Sequence, residues 1–330
     1  AEYRKTFQKD VVINLVCYRK YGHNEGDEPN FTQPIMYQTI SNHQAAPQAY
    51  GKKLVASGVF SQEEKDKLDS AFNAKLEEAY RKSESYKPKE ADWLKGRWQK
   101  CSADFSKTKA ETGLEVKKLA SLVNKLSKIP EGFDLHPKII RLLEAKQEAV
   151  SSGNKIDWAT GEAMAFASLL DEGFRVRLAG QDAGRGTFSH RHSVWRDQKT
   201  GAEYIPFNHL SEKQGVYEVV DSFLSEYAAL GFEYGYALAH PDQLVIWEAQ
   251  FGDFSNGGQI VIDQYISSAE TKWLRMNGLV MLLPHAFEGM GPEHSSARLE
   301  RYLQLCAEDN MQVAYPTTPA SIFHLLRRQL

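Results

Sequence analysis

Four clusters of polar residues could carry chemistry, and each follows a predicted strand or opens a predicted helix. The clusters are rich in histidine, acidic and amide side chains, and they span residues 21–25, 180–192, 221–226 and 283–298. Ligands of parallel α/β sheets bind at the carboxyl ends of the strands. We therefore expect the chemistry of this chain in these loops.

The first two clusters offer donors for an anionic group. His23 follows an apolar run and titrates near neutrality, although a loop histidine satisfied by backbone would look the same. The second cluster combines three glycines, which permit close approach of backbone to a ligand, with arginine, Gln181, His190 and His192. These donors suit a polyanionic substrate or a phosphate. Metal binding by the two histidines would need an extended segment and a third ligand, which no neighbouring residue offers.

The third cluster contains a candidate acid, Glu226, near the start of a predicted helix. A structural interpretation explains it equally well. Asp221 or Ser222 would cap the helix, and an acid in the first turn is favoured by the helix dipole.

The fourth cluster places two histidines and two glutamates, His285, Glu288, Glu293 and His294, between a strand and a helix. Loops so rich in titratable groups are seldom only connectors. Two aromatic residues, Phe251 and Phe254, follow another predicted strand. They could be packing residues, or they could stack on a flat heteroaromatic ring.

The elements that would position these clusters alternate between helix and strand after residue 157. The sequence predicts helices over 158–171, 224–239, 259–275 and 297–307 and after Pro319, and strands over 175–179, 244–247, 279–283 and 312–315. This alternation predicts an α/β fold in which a parallel sheet is covered by helices on both faces.

The first 155 residues follow a different pattern. Residues 11–18 are almost continuously apolar and β-branched, which predicts a strand buried in a parallel sheet. Helical spacing recurs over 62–86 and 116–150, separated by a looser stretch rich in lysine and serine at about 87–112. We interpret residues 46–155 as a helical connector.

Composition and motifs exclude several classes of protein. The 330 residues carry a net charge of −3 without a long run of one sign, which argues against nucleic acid or an anionic membrane as the main partner. Three widely spaced cysteines without a CxxC pair fit a reducing compartment. The glycine-rich nucleotide-binding motifs, HExxH and GxSxG do not occur.

Several longer blocks occur in the order and wording of one family. They read DVVINLVCYRKYGHNE at 10–25, FTQPIMY at 31–37, GTFSHRH at 186–192, WEAQFGDF at 247–254, GPEHSSARLERYLQLC at 291–306 and HLLRRQ at 324–329. On these blocks the chain resembles the first, decarboxylating component of bacterial 2-oxoglutarate dehydrogenase. The likeness covers nearly the whole chain and is weakest from about 45 to 130.

The resemblance implies an enzyme that binds thiamine diphosphate and Mg²⁺ between two α/β domains, one from each subunit of a homodimer. It implies oxidative decarboxylation of 2-oxoglutarate in the bacterial cytoplasm and transfer of the succinyl group to the lipoyl domain of the succinyltransferase. Residues 1–45 would be the end of the diphosphate-binding domain, and 156–330 a pyrimidine-binding domain truncated at its C-terminus. The metal ligands would lie before Ala1, and we expect the chain alone to be inactive.

The resemblance also assigns roles to individual residues. Glu226 matches the glutamate that bonds the aminopyrimidine ring and favours the imino tautomer needed for proton removal from the thiazolium carbon. His294 matches a histidine beside that amino group, and His23 one that lines the diphosphate. The remaining matches are cofactor-packing and substrate-facing residues: Phe251 and Phe254 against the pyrimidine, and Gln181, His190 and His192 in the substrate pocket.

Three alternatives remain open on the sequence alone. A dehydrogenase specific for 2-oxoadipate has close motifs. A transketolase-like transferase would share the glutamate and the aromatic residues but not the block at 186–192. A non-catalytic helical scaffold would use the segment at about 45–150.

Overall fold

The computed structural model describes residues 1–87, 97–98, 101, 110–286 and 291–330, without the side chain of His294. The chain divides into two compact units, Ala1–Lys89 and Glu90–Leu330. The division falls inside the segment that the sequence predicts as a helical connector, whose bounds stay a prediction.

The first unit is helical in its described residues. Its helices are α1 Glu2–Phe7, α2 Pro34–Asn42, α3 Ala46–Ala56 and α4 Gln62–Ser85. The last of these confirms the helix predicted over 62–86. A capping box fixes its start, because Ser61 and Glu64 bond each other's backbone N–H groups.

The predicted buried strand at 11–18 is wrong for this structure. These residues form no strand, and Val12, Ile13 and Val16 are 95%, 84% and 87% exposed. An apolar run forms a buried strand only when neighbouring strands accept its hydrogen bonds and helices cover its faces. Residues 1–87 contain no strand to pair with it.

Residues 116–152 of the second unit form two helices separated by a turn, not one long helix. The sequence predicts helix over 116–150, whereas the structure has α5 Val116–Leu126 and α6 Pro137–Ser152. Between them lie Pro130 and Gly132, and Gly132 has a φ of 76° that favours glycine. α7 Trp158–Asp171 follows, capped by Asp157, whose carboxylate accepts from the Thr160 N–H.

A four-stranded parallel sheet forms the centre of the second unit. Its spatial order is β4 Tyr217–Asp221, β1 Arg175–Gly180, β5 Gln243–Glu248 and β6 Val280–Leu282. A separate hairpin pairs β2 Trp195–Arg196 with β3 Glu203–Tyr204. Strands β1, β5 and β6 confirm the prediction, but β4 was missed, and residues 312–315 form no strand.

Helices cover both faces of this sheet. Along β5, Leu244 and Ile246 pack into one core with α7 and with α12 Pro319–Arg327. Trp247 packs into a second core with α8 Glu226–Leu238 and with Ile262. The fold class predicted from the sequence is therefore confirmed.

The remaining helices differ from the prediction in length. The predicted helix over 259–275 is α9 Gln259–Val261, a π-helical turn Ile262–Ile266 and α10 Ala269–Lys272. The one predicted over 297–307 is α11 Leu299–Leu305. Across the part of the chain that the structure describes, no helix combines the length and apolarity needed to cross a bilayer.

Candidate active site

The carboxyl ends of the parallel strands β4, β1 and β6 bring three of the polar clusters to one edge of the sheet, and β5 brings the aromatic residues to the same edge. β1 and β5 approach so closely there that a Cβ on Gly180 would lie 2.3 Å from the carbonyl oxygen of Glu248. Only glycine fits this contact. The loops after these strands therefore begin from closely spaced and fixed points.

Glu226 is the first residue of α8, and Gln181 is its polar neighbour. The Ser225 hydroxyl caps the helix by accepting from the Ala228 N–H, so the predicted caps Asp221 and Ser222 are wrong. Gln181 Nε2 donates to Glu226 Oε1 at 3.2 Å. The helix dipole favours negative charge at this end, and the hydrogen bond orients the half-buried carboxylate.

Gly257 leaves one side of this carboxylate open. A Cβ at position 257 would lie 3.2 Å from both Cβ and Oε2 of Glu226. Glycine thus allows the segment after β5 to pass beside the carboxylate without displacing it.

Aromatic rings lie in the loop after β5 and in the loop after β1. The rings of Phe251 and Phe254 meet edge to face with centroids 5.4 Å apart. Phe188 contacts Phe251 at 5.8 Å and His190 at 6.2 Å. Such edge-to-face geometry is the favoured arrangement of aromatic pairs, and these rings give the site an apolar wall.

The loop after β6 packs on the Phe251 loop. The Gly252 N–H donates to the Pro284 carbonyl at 3.0 Å, and a Cβ on Gly252 would lie 2.4 Å from the Cβ of buried Ala297. Arg298 Nε donates to Asp253 Oδ1 at 3.0 Å. Ala297, which follows His294 closely in the chain, is therefore held against this loop.

Two candidates of the fourth cluster lie outside the described residues. Glu288 is one, and the side chain of His294 is the other. The backbone of His294 ends a short 3₁₀ turn, Pro292–His294. His285, by contrast, accepts the Ala297 N–H at Nδ1 at 3.0 Å, so it fixes the loop.

The loop after β1 folds back on itself. The N–H groups of Arg191 and His192 both donate to the Arg185 carbonyl at 3.0 Å. The Gly184 N–H donates at 2.7 Å to the carboxylate of Asp221, the last residue of β4. These bonds tie the loop to the neighbouring strand.

His190 lies over Gly186, where a Cβ would come within 2.4 Å of its ring. Its Nδ1 is buried and has no hydrogen-bond partner among the described residues. Burial lowers the pKa of His190, and the carboxylate of Glu162 opposes this only in part. The imidazole is thus held neutral near physiological pH, with an unused polar atom.

His192 has different surroundings. Its Nε2 donates to the Ser189 carbonyl at 2.9 Å, and it lines a cavity of about 40 Å³ together with Lys146 and Trp195. Burial lowers the pKa values of both His192 and Lys146. Both side chains therefore lose their charge more readily than they would in water.

A buried charge network beneath the loop was missed by the sequence reasoning. Arg191 bonds two carboxylates, Glu162 on α7 and Glu248 at the end of β5, at 2.6–2.9 Å. The one sequence signal is an acid, Glu162, in the mainly apolar helix α7. Such an acid is rarely buried unless it is paired.

The same carboxylates with His190 form the one set of three potential metal ligands found among the described residues, with ligand atoms within 4.8 Å of one another. The guanidinium of Arg191 already donates two hydrogen bonds to each carboxylate. A cation would have to displace this buried arginine, so the arrangement favours an ion-pair network over a metal centre.

His23 belongs to the first unit. It is exposed, its N–H donates to Asp27 Oδ2 at 2.7 Å, and its Nδ1 accepts from Arg19 at 2.6 Å. The structure therefore brings together Gln181, Glu226, the aromatic residues and His190 in the second unit, and describes His23 only within its own unit.

Comparison with known families adds to this geometry. Residues 154–330, more than half of the chain, match the model described as "Transketolase, pyrimidine binding domain". The chain belongs to this pyrimidine-binding family. Residues 1–92 match the model described as "Dehydrogenase E1 component". The residues Glu226, Phe251 and Phe254 lie within the matched range.

Relatives of the pyrimidine-binding chain carry the name "2-oxoglutarate dehydrogenase E1 component". Those from Rickettsia conorii and Rickettsia felis are each 59% identical, and that from Brucella canis is 54% identical, over the whole of this chain. They confirm the resemblance stated from the sequence. The chain spans about a third of their length, 33–35%.

Proposed function

We propose that the protein of which this chain is a part decarboxylates 2-oxoglutarate with thiamine diphosphate and passes the succinyl group to lipoamide. The observation that carries the proposal is the position of Glu226. Its carboxylate lies at the strand-end edge, oriented by Gln181 and kept accessible by Gly257. The names of the relatives favour 2-oxoglutarate over 2-oxoadipate as the substrate.

The residues of the second unit fit the pyrimidine half of this cofactor. An aminopyrimidine presents a flat ring with nitrogen atoms at its edge. Phe251 and Phe254 offer ring faces and edges for packing, and Glu226 offers a carboxyl group for a ring nitrogen. When bound, thiamine diphosphate supplies the electron sink for the carbanion that decarboxylation leaves.

Glu226 would hold the proton that this chemistry needs at its carboxyl oxygen. A protonated carboxyl donates to a ring nitrogen, and an ionised carboxylate accepts, so one residue can serve both states. Gln181 would keep the carboxyl in one rotamer, because its amide N–H bonds Oε1 and leaves Oε2 for the ligand. The aromatic residues would exclude water from this proton transfer.

Three of the four candidate histidines would face the substrate. His190 offers a neutral imidazole with a buried, unpaired Nδ1 beside the aromatic residues, which can donate or accept according to its tautomer. We assign His192 and His294 to the same pocket, and His23 to the diphosphate side. These four roles rest on the matching family motifs.

The metal, the assembly and the location of the protein complete the proposal. We infer Mg²⁺ bound by residues outside this chain, a homodimer, a lipoyl domain of the succinyltransferase as acceptor, and a cytoplasmic location. Oxygen ligands and diphosphate oxygens suit Mg²⁺. Two of the three possible metal ligands among the described residues, Glu162 and Glu248, are already bonded by Arg191.

Glu226→Gln in the full-length protein tests the proposal. The amide oxygen can still accept the Gln181 hydrogen bond, so the local shape is kept, but the amide cannot exchange a proton. We expect the rate of thiamine-diphosphate-dependent decarboxylation of 2-oxoglutarate to fall by about 100-fold or more. CO₂ release from 2-oxoglutarate and from 2-oxoadipate is measured with the wild-type and variant proteins.

Glu300→Gln is the matched control, because Glu300 is also in the first turn of a helix but is exposed. Its rate should equal that of the wild type. Equal rates for Glu226→Gln and wild type would contradict the role of Glu226. Faster turnover of 2-oxoadipate by the wild type would contradict the substrate.

A further inference from the structure

Arg191 uses every N–H of its guanidinium inside the protein. Nε and Nη2 donate to Glu162 at 2.6 and 2.9 Å, Nη2 and Nη1 donate to Glu248 at 2.6 and 2.8 Å, and Nη1 also donates to the Ala183 carbonyl at 2.8 Å. A guanidinium has five N–H donors. None is left for a substrate.

The partners of Arg191 lie on three separate elements. Glu162 is on helix α7, Glu248 is the last residue of β5, and Ala183 is in the loop after β1. The side chains of Arg191, Glu162 and Glu248 are 2%, 3% and 8% exposed. Arg191 therefore attaches the returning half of the loop to the helix and the strand beneath it.

Burial of three charges costs desolvation free energy, so the network is poor evidence for stability by itself. What it does fix is geometry, because bidentate arginine–carboxylate pairs allow one orientation of the planar fork. The two carboxylates raise the pKa of Arg191 although burial opposes this. The arginine therefore stays charged over the working pH range.

The residues on either side of Arg191 are the two candidate substrate histidines. His190 contacts the aromatic residues through Phe188, and His192 lines the neighbouring cavity. A residue fixed between them constrains the backbone position of both.

We propose that Arg191 is a positioning residue that holds His190 and His192 in place for the 2-oxo acid, acting through Glu162 and Glu248. The role of these histidines toward the substrate rests on the proposed function. The attachment of the loop does not.

Arg191→Lys in the full-length protein tests the proposal, because an ammonium keeps the charge but cannot bond two carboxylates bidentately. We expect kcat/KM for 2-oxoglutarate to fall by about 10- to 100-fold through a raised KM and a lowered kcat, since a displacement of about 1 Å has effects of this size. The dissociation constant of thiamine diphosphate should change less than about twofold, because Glu226 and Gln181 do not bond Arg191.

Hydrogen exchange gives a readout that does not depend on activity. Amides of the peptide 181–193 should exchange at least about tenfold faster in Arg191→Lys than in wild type, while those of α8 stay unchanged. Arg196→Lys is the matched control, since Arg196 forms an exposed ion pair with Glu203 a few residues away. It should leave exchange and kinetics unchanged.

Glu248→Gln is the second variant, in case Arg191→Lys fails to fold. It removes one charge and one acceptor from the network, and it should shift KM and exchange in the same direction. If the amides of 181–193 exchanged at the wild-type rate in both variants, the proposal would be overturned. Equal loss of cofactor binding and substrate affinity would overturn it as well, since that indicates general unfolding.

A wild-type protein without 2-oxoglutarate turnover would refute the proposed function, yet the exchange result would still decide whether Arg191 holds the loop.

Discussion

At the scale of single residues, the candidate site depends on how little space surrounds the Glu226 carboxylate. Gln181 bonds one oxygen of this carboxylate. The other oxygen, Oε2, would lie 3.2 Å from a Cβ atom at position 257. Gln181 thus orients the Glu226 carboxylate by a hydrogen bond, and Gly257 leaves space for it because glycine has no side chain.

Gly257→Ala tests this dependence. The added methyl group would lie 3.2 Å from Cβ and Oε2 of Glu226, so we expect the carboxylate to shift by a few tenths of an ångström. Decarboxylation should slow by about tenfold, because small displacements at a reacting group are costly. The measurement is the steady-state rate of the full-length variant.

Gly278→Ala serves as its control, because nothing lies within 4 Å of the corresponding Cβ. It should retain the wild-type rate. If Gly257→Ala decarboxylated 2-oxoglutarate as fast as Gly278→Ala, the added methyl group would not displace the Glu226 carboxylate, which would contradict this dependence.

The roles of Glu226 and Phe254 could be predicted from the sequence only through the resemblance, since a capping-region acid and two packing aromatics explain the pattern equally well. The Arg191 network could not be predicted. Glu162, Arg191 and Glu248 are far apart in the chain and meet only when α7, the loop after β1 and the end of β5 pack together.

At the scale of elements, the hairpin β2–β3 is linked to the turn between α5 and α6 by one carboxylate. Asp197 Oδ2 accepts from the Asp134 N–H at 2.7 Å, and Oδ1 accepts from Lys199 and Thr200 N–H groups at 2.9 and 2.7 Å. These backbone hydrogen bonds lower the pKa of Asp197 to about 2. The turn and the hairpin are held together by an ionised acid.

Asp197→Asn should lower the melting temperature of the full-length protein at pH 7. The asparagine side chain keeps one oxygen acceptor, but its NH₂ group takes the place of the other oxygen and faces a backbone N–H that then has no acceptor there. The folded pKa is lower than the unfolded value of 3.8. The stabilisation by Asp197 is therefore fully present above about pH 4 and is lost as the pH falls toward 2.

The difference in melting temperature between wild type and Asp197→Asn should consequently narrow as the pH is lowered from about 5 to about 3. Asp309→Asn is the control, because Asp309 is exposed and asparagine tolerates its φ of 60°. If the difference in melting temperature stayed constant across this pH range, the charge of the Asp197 carboxylate would not contribute to the stability.

Element prediction succeeded where a pattern was sufficient by itself. The apolar run of β5 is buried on both faces, and the predicted helix over 158–171 is α7. Prediction failed where neighbouring strands and helices determine whether a segment forms a strand. The run at 11–18 is as apolar as β5 but has no strand beside it in 1–87. The edge strand β4 is only partly buried, so its sequence lacks the continuous apolar signal.

At the scale of the whole molecule, the candidate site residues do not all belong to one unit. The pyrimidine-binding unit holds Glu226, Gln181, the aromatic residues and the loop that Arg191 fixes. His23 is in the other unit. The parallel sheet with helices on both faces could be predicted from helix–strand alternation, but its strand order could not, because β4 was missed. The division between Lys89 and Glu90 falls in the looser stretch at about 87–112, which the sequence interpretation placed inside the connector.

The most direct test is the crystal structure of the full-length protein with thiamine diphosphate bound. We predict that a carboxyl oxygen of Glu226 lies within about 3.2 Å of a pyrimidine ring nitrogen, with Phe254 against the ring. A cofactor whose pyrimidine is bound elsewhere, with Glu226 still bonded only to Gln181, would contradict the assignment of this site.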